Sequence, residues 1–169
     1  MEKDILNIQP IWERIIKALN KNNIKYVIVG ASAMVLHGIP RSTLDIDIYV
    51  EAKEDVLRKL FNIAKDLDLK SYQKDILKVA HLPKLFTNQW ICFSYNKQDI
   101  LDVFLADKIE FENLYKNSEV KKDSSLKVRV ASLIDIIRMK KKVGRSMDLI
   151  DIKLIKEAIR TIKKDLNAK

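Results

Sequence analysis

At 169 residues, 47% of them hydrophobic and only three each glycine and proline, the chain is long enough for one domain with a real core and too apolar for a disordered or fibrous protein. No apolar run approaches the roughly 20 residues of a membrane span, and the opening MEKDILNIQP has no apolar signal core, so a cytoplasmic location with no membrane partner is expected. Lysine and arginine total 32 against 23 acidic residues, and the net charge of +9 attracts polyanions such as nucleotides, RNA and DNA, although a lysine-rich solvated surface would read the same way.

Ile8, Ile11, Trp12, Ile15, Ile16 and Leu19 recur at helical spacing and predict an amphipathic packing helix over residues 8–21, closed by Asn22 and Asn23. Tyr26 to Val29 is a short β-branched run ending at Gly30, after which Ser32 to Leu36 can start a helix that His37-Gly38-Ile39-Pro40 breaks. Leu44, Ile46 and Ile48 then alternate with Asp45, Asp47 and Tyr49, the period of a strand with one apolar face. Residues 53–67 carry Val56, Leu57, Leu60, Phe61, Ala64 and Leu67 on one stripe, a second packing helix.

The stretch 70–88 has no clear period. Gln89 to Phe93 and Ile100 to Leu105, separated by SYNKQD, predict a β-hairpin, with the single Cys92 read as a core residue of a protein from a reducing compartment. A charged connection is expected from Asp107 to Asp123, then a last strand, Leu126 to Val130. Ser132, with Asp135 three positions on, can cap a helix running to about Lys142. Gly144 interrupts it, and Leu149, Ile152, Leu154, Ile155, Ala158, Ile159 and Ile162 define a final helix. The expected organisation is an α/β core over residues 1–131 with C-terminal helices, residues 132–169, packed on it as one unit.

Three features carry chemistry. Residues two apart in a strand share a face, so Asp45 and Asp47 project side by side with Cα atoms about 6.5 Å apart, a pair that can grip a hard cation such as Mg²⁺. The turn Gly30-Ala31-Ser32 joins a strand to a helix start, where a glycine lets the backbone approach a ligand and free N–H groups attract phosphate. Asp102 is the one charge inside the apolar run Ile100 to Leu105, costly unless paired or metal-bound, and is the candidate third carboxylate, with Asp99 as the fallback. An anion site beside a cation site suits a nucleoside triphosphate with bound Mg²⁺, and Asp102 would help remove the proton from an attacking hydroxyl.

The segment YVIVGASAMVLHGIPRSTLDIDIYV, with the later ILDVF and KKKVGRSMDLIDI, resembles the minimal nucleotidyltransferases of the DNA polymerase β superfamily, most of all the AbiEii-like abortive-infection toxins. The resemblance covers about residues 24–155, and the ordered set Gly30, Ser32, Arg41, Thr43, Asp45, Asp47 is its most specific part; Ala31 stands where many members have Gly or Ser. It implies a mixed sheet of about five strands flanked by helices, with Asp45, Asp47 and Asp102 holding two Mg²⁺. It also implies transfer of a nucleoside monophosphate from a triphosphate such as ATP to a hydroxyl, with release of pyrophosphate.

Within this resemblance Arg41 and Thr43 would contact triphosphate oxygens. Gly144-Arg145-x-x-Asp148-x-x-Asp151 follows the family's C-terminal pattern, with Lys140 a turn earlier; Lys140 and Arg145 would neutralise phosphate charge while Asp148 orients one of them, or the group is a salt-bridge cluster. Tyr49, on the aspartate face, could stack on a base or pack, and His37 lies near the turn. The acceptor stays open among an RNA 3′ end, a protein side chain and a small molecule. A homodimer or a toxin–antitoxin partner could complete the cleft, and the competing reading is an inactive nucleotide- or partner-binding module of a toxin–antitoxin pair.

Overall fold

The computed structural model describes residues 2–123 and 126–167. Helix α1 (Glu2–Lys21) begins ahead of the predicted start and buries Ile11, Ile15, Ile16 and Leu19; Ile8 lies outside the residues whose side chains are described. Strand β1 (Val27–Val29) is buried along its length and passes directly into helix α2 (Gly30–Leu36). Strand β2 (Ile46–Glu51) follows, and helix α3 (Glu54–Asp66) packs on α1 through Leu57, Leu60, Ile63 and Ala64. The periodless stretch resolves into a 3₁₀ helix (Lys74–Val79) and one short helix, α4 (Pro83–Phe86), which drives Phe86 into the core.

The hairpin is longer than predicted. Strands β3 (Trp90–Tyr95) and β4 (Gln98–Ala106) meet at Asn96-Lys97, both at positive φ, the conformation a two-residue turn needs to match the strand twist. The charged connection proves to be helix α5 (Lys108–Asn117) and strand β5 (Glu119–Asp123). Asp107 caps α5 by accepting from the Glu110 N–H, and Phe111 with Leu114 supplies just enough apolar surface to dock it. Strand β5 is polar because it is an edge strand, which needs only backbone pairing with β6 (Leu126–Val130). Ser132 caps helix α6 (Leu133–Val143) as its spacing with Asp135 predicts, Gly144 closes it at φ 72°, and helix α7 (Ser146–Asn167) packs back on α6.

Among the described residues the sheet has six strands rather than about five, in the order β3-β4-β2-β1-β6-β5, with parallel pairs β2/β4 and β1/β6 and the other neighbours antiparallel. The chain therefore has the expected α/β architecture, a mixed sheet flanked by helices with a C-terminal helical pair. No helix of the described residues is long and apolar enough to cross a membrane.

Register decides which face does what. Ile46 pairs with Leu101, Ile48 with Val103 and Val50 with Leu105, while β3 adds Ile91 and Phe93 to the same rows; all are buried and form the apolar face. The opposite face carries the rows Asp47-Asp102-Cys92 and Tyr49-Phe104-Trp90. Leu44 does not join the apolar face as predicted: it precedes β2 and is 51% exposed, so the alternation holds only from Ile46 onward. Ile48, fully buried at the centre of the sheet, anchors β2, and Ile48→Ala should lower stability by about 2–5 kcal/mol, seen in urea as a lower midpoint at unchanged slope.

Candidate active site

Three carboxylates meet at the end of the central strands. Asp47 and Asp102 are directly paired across β2 and β4, Asp45 sits just before β2, and each offers an oxygen within 4.8 Å of the others. Thr43 orients the first of them, its hydroxyl donating to Asp45 Oδ1 at 2.9 Å and to the Asp45 carbonyl at 3.0 Å. Glycine is required at position 30 for two reasons. Its φ of +65° disfavours any L side chain, and a Cβ there would overlap Asp47 Oδ2 and lie 2.9 Å from Asp47 Cγ. The turn of β1 into α2 thus closes against the central carboxylate.

The electrostatics of the cluster call for a cation. Burial pushes the Asp47 carboxyl up to about 7, the charges of Asp45 and Asp102 push the same way, and Lys140 and Arg145 oppose them. Burial also raises Asp102; the Cys92 thiol and the Trp90 indole facing its carboxylate pull it back, and the Asp45 charge adds to the rise. Asp102 Oδ1 is buried with no hydrogen-bond partner among the described residues. Three convergent hard oxygen donors, mutual repulsion and one orphaned oxygen fit a divalent cation of the Mg²⁺ kind.

Across a cleft of about 690 Å³ stands a basic rim supplied by Lys140 of α6, Arg145 of the turn before α7 and Arg41 of the loop before β2, held by acids of α7. Lys140 Nζ lies 2.6 Å from Asp151 Oδ2 and 3.3 Å from Asp148 Oδ1, and Arg41 Nε lies 3.0 Å from Asp151 Oδ1. Asp148 also accepts from the Arg145 backbone N–H at 3.0 Å and approaches Arg145 Nε at 3.3 Å. Burial works against the charge on Asp148, yet the hydrogen bonds from Arg145 and Lys140 together hold its carboxyl below the usual range. The rim is a buried ion network whose acids aim three cations along the cleft, with Arg145, 76% exposed, reaching furthest into solvent.

Most of the predicted residues line this cleft together: Gly30, Ala31, Arg41, Asp45, Asp47, Asp102, Lys140, Arg145 and Asp148. Two are turned elsewhere. The Ser32 hydroxyl is buried and donates to the Val29 carbonyl at 3.0 Å, and the Thr43 hydroxyl serves Asp45. Asp99, the fallback, pairs with Ser94 nearer the hairpin turn. His37 packs, with Nε2 2.8 Å from the Ala131 carbonyl. Cys92 is not a core residue: alternation along β3 sends Ile91 and Phe93 inward and leaves Cys92 half-buried beside Asp102. Burial first, and then the neighbouring carboxylate, raise its thiol above the usual range.

Asp151, the last residue of the C-terminal pattern, also lines the cleft, as do Trp90 and Phe104, to which the sequence reading assigns no role. The signal for Asp151 was its place one helical turn after Asp148; that for Trp90 and Phe104 was their even spacing from Cys92 and Asp102.

The sequence matches the model of a family described as "Nucleotidyltransferase of unknown function (DUF6036)" over residues 8–162. The chain belongs to this family. The nucleotidyltransferase is similar in fold to the antibiotic-resistance factor ANT(2'')-Ia, at 14% identity and a TM-score of 0.60, covering 94% of this chain and 90% of that one. It is likewise similar to the lincosamide antibiotic adenylyltransferase LnuA in its lincomycin-bound form, at 14% identity and TM-score 0.62, covering 88% and 96%. A putative nucleotidyltransferase from Thermotoga maritima shares 15% identity at TM-score 0.52, covering 99% and 95%. No curated protein matches the sequence.

Two outcomes follow for the nucleotidyltransferase. Because the Asp47 carboxyl titrates near 7 when folded against an ordinary 3.8, the folded state holds a proton that the unfolded chain has released, so metal-free stability should fall as pH rises from about 4 to about 7. Asp47→Asn should flatten that dependence in thermal melts and raise the metal-free melting temperature at pH 8, by roughly 2–4 °C for each kcal/mol of repulsion relieved. Gly30→Ala should displace the Asp47 carboxylate and weaken Mn²⁺ binding measured by calorimetry, while the far-UV circular dichroism keeps its shape.

Proposed function

We propose that this nucleotidyltransferase moves a nucleoside monophosphate from a Mg²⁺-bound triphosphate to a hydroxyl acceptor and releases pyrophosphate. The observation that carries the reading is the convergence of Asp45, Asp47 and Asp102 opposite a rim of Arg41, Lys140 and Arg145. Asp45, Asp47 and Asp102 would hold the cations, which supply charge neutralisation on the triphosphate and acidify the attacking hydroxyl. The backbone at Gly30 and Ala31 approaches the phosphates from the β1 side, with Arg41, Lys140 and Arg145 balancing their charge from the helical side.

In the transfer, the acceptor oxygen forms a bond to the α-phosphorus as the bond to the β-phosphate oxygen breaks. The acceptor proton passes to Asp102, whose carboxyl burial raises above the usual carboxylate range. Asp148 and Asp151 act by holding the cations in place. The similarity to LnuA, a lincosamide antibiotic adenylyltransferase, supports monophosphate transfer as the reaction class. The positive charge of this chain supports a polyanionic partner over a cationic one.

Incubation with labelled triphosphates, Mg²⁺ and total RNA, total protein or an antibiotic panel should give labelled product and pyrophosphate. Asp47→Ala should fall to the level of the enzyme-free control, and Lys140→Ala should lose about 100-fold in rate through one missing charge at the transition state. Absence of both product and Mg²⁺-dependent triphosphate binding in the wild type would sink the proposal.

A further inference from the structure

At the end of β1 remote from the carboxylates lies a second opening, of about 510 Å³, which suits a small molecule rather than a lone ion. The end of α1, the last turn of α5 and the start of β6 wall it, and it shares no residue with the carboxylate cleft. Tyr26 in its wall and Gly30 beside Asp47 stand four residues apart through β1, about 13 Å of extended chain.

Lys25, Lys127 and Arg129 line the opening, no acid does, and none of the three cations forms an ion pair among the described residues. Lys25 and Lys127 are exposed, as surface lysines usually are; Arg129 is the built part. Its guanidinium lies 4.1 Å from the centre of the Tyr115 ring, and Nη1 donates to the Tyr115 carbonyl at 3.3 Å and to the Ser118 hydroxyl at 3.1 Å. The fork is thereby held in one orientation, while Nε and Nη2 donate to nothing among the described residues. Two free donors on a fixed plane match two oxygens of a phosphate. Lys25 Nζ stands 5.5 Å from the same ring and brings a second positive charge to it.

The frame around these cations is fixed and adds no negative charge. Asn20 Nδ2 donates to the Lys127 carbonyl at 2.8 Å, the Tyr26 hydroxyl faces Asn20 Oδ1 at 3.2 Å, and burial pushes the Tyr26 phenol up to about 12, so it stays neutral. The last carbonyls of α1 already accept the N–H groups of Asn22, Asn23 and Ile24, so the cations are not spent on capping that helix. The positive ground is also bounded. Beyond Lys25 the surface carries Glu51, Asp55 and Glu112 among Lys53 and Lys116, which gives the backbone of a long polynucleotide no continuous track. We propose that this opening is a second ligand site, for a small phosphate-bearing molecule held without a metal ion. Arg129 takes two oxygens of one phosphate, and Lys25 and Lys127 balance the remaining charge.

The test is calorimetry on the whole protein in EDTA with pyrophosphate as the probe, which should show one saturable site. Arg129→Lys keeps the charge and loses the fork, and should weaken Kd about tenfold. Lys25→Gln and Lys127→Gln should each weaken it about threefold, the scale of one exposed charge, at an unchanged melting temperature because both side chains stand in solvent. Arg145→Ala, at the carboxylate cleft, should leave Kd within about twofold. A nucleoside monophosphate should displace the pyrophosphate, and an oligonucleotide without a terminal phosphate should not. The inference is overturned by any of three results: no saturable binding in EDTA, binding lost in Arg145→Ala but kept in Arg129→Lys and Lys25→Gln, or tighter displacement by the oligonucleotide than by the monophosphate. None of these bears on the transfer reaction, which is measured with Mg²⁺ at the other cleft.

Discussion

Strand register holds three carboxylates closer together than their charges would choose. Asp47 and Asp102 are neighbours because β2 and β4 run parallel with those residues in register, and the ladder hydrogen bonds on either side leave neither strand free to slip without turning Ile48 and Val103 out of the core. The repulsion is therefore opposed by burial of the opposite face. Gly30 tightens the arrangement, since the turn after β1 comes so close to Asp47 that no side chain fits between. The rest of the fold can be read as support for this crowding. The apolar face resists it, α2 closes over it, and Lys140, Arg145 and Arg41 answer it with cations.

That answer is itself a balanced network. Lys140 is nearly buried and would be costly alone, but Asp148 and Asp151 share it, and Asp151 also receives Arg41 from the loop before β2. Removing Asp151 would take from Lys140 its nearer partner and from Arg41 its ion pair, so this acid matters to the cleft through the cations it holds. Trp90 and Cys92 flank Asp102 from the edge strand and set the surroundings of the third carboxylate in the same indirect way.

Legibility in the sequence followed local period. The alternation around Ile46 and Ile48, the apolar stripes of α1 and α3, and the Ser132 cap each rest on near neighbours and are found in the structure; the α7 stripe is found only from Ile152 to Ile159, since Leu149 and Ile162 are exposed where α7 extends past the core at either end of that stretch. Strand β5 and helix α5 were hidden because β5 is stabilised by pairing with β6 and α5 by a short apolar set, Phe111, Leu114 and Tyr115, so their charged residues resemble a loop. The Asp45 and Asp47 pair could be read from its spacing, although Asp45 lies just before β2 rather than on it, whereas its union with Asp102 required a parallel pairing that no local pattern encodes. Cys92 was misread for the opposite reason: its neighbours are apolar, and only the phase of β3 shows that it faces the carboxylates. Ser32 belongs to the turn expected to meet phosphate, but its helix turns its hydroxyl back to the Val29 carbonyl.

The ion pair between Arg41 and Asp151 ties the loop before β2 to the last described helix, across most of the intervening chain. Every strand of the sheet is synthesised before that helix exists. A growing chain can therefore assemble its carboxylates early, yet Lys140 and Arg41 are left without Asp151 until α7 has emerged and docked. The rim of the cleft is thus the part that is completed last, after the carboxylates it faces.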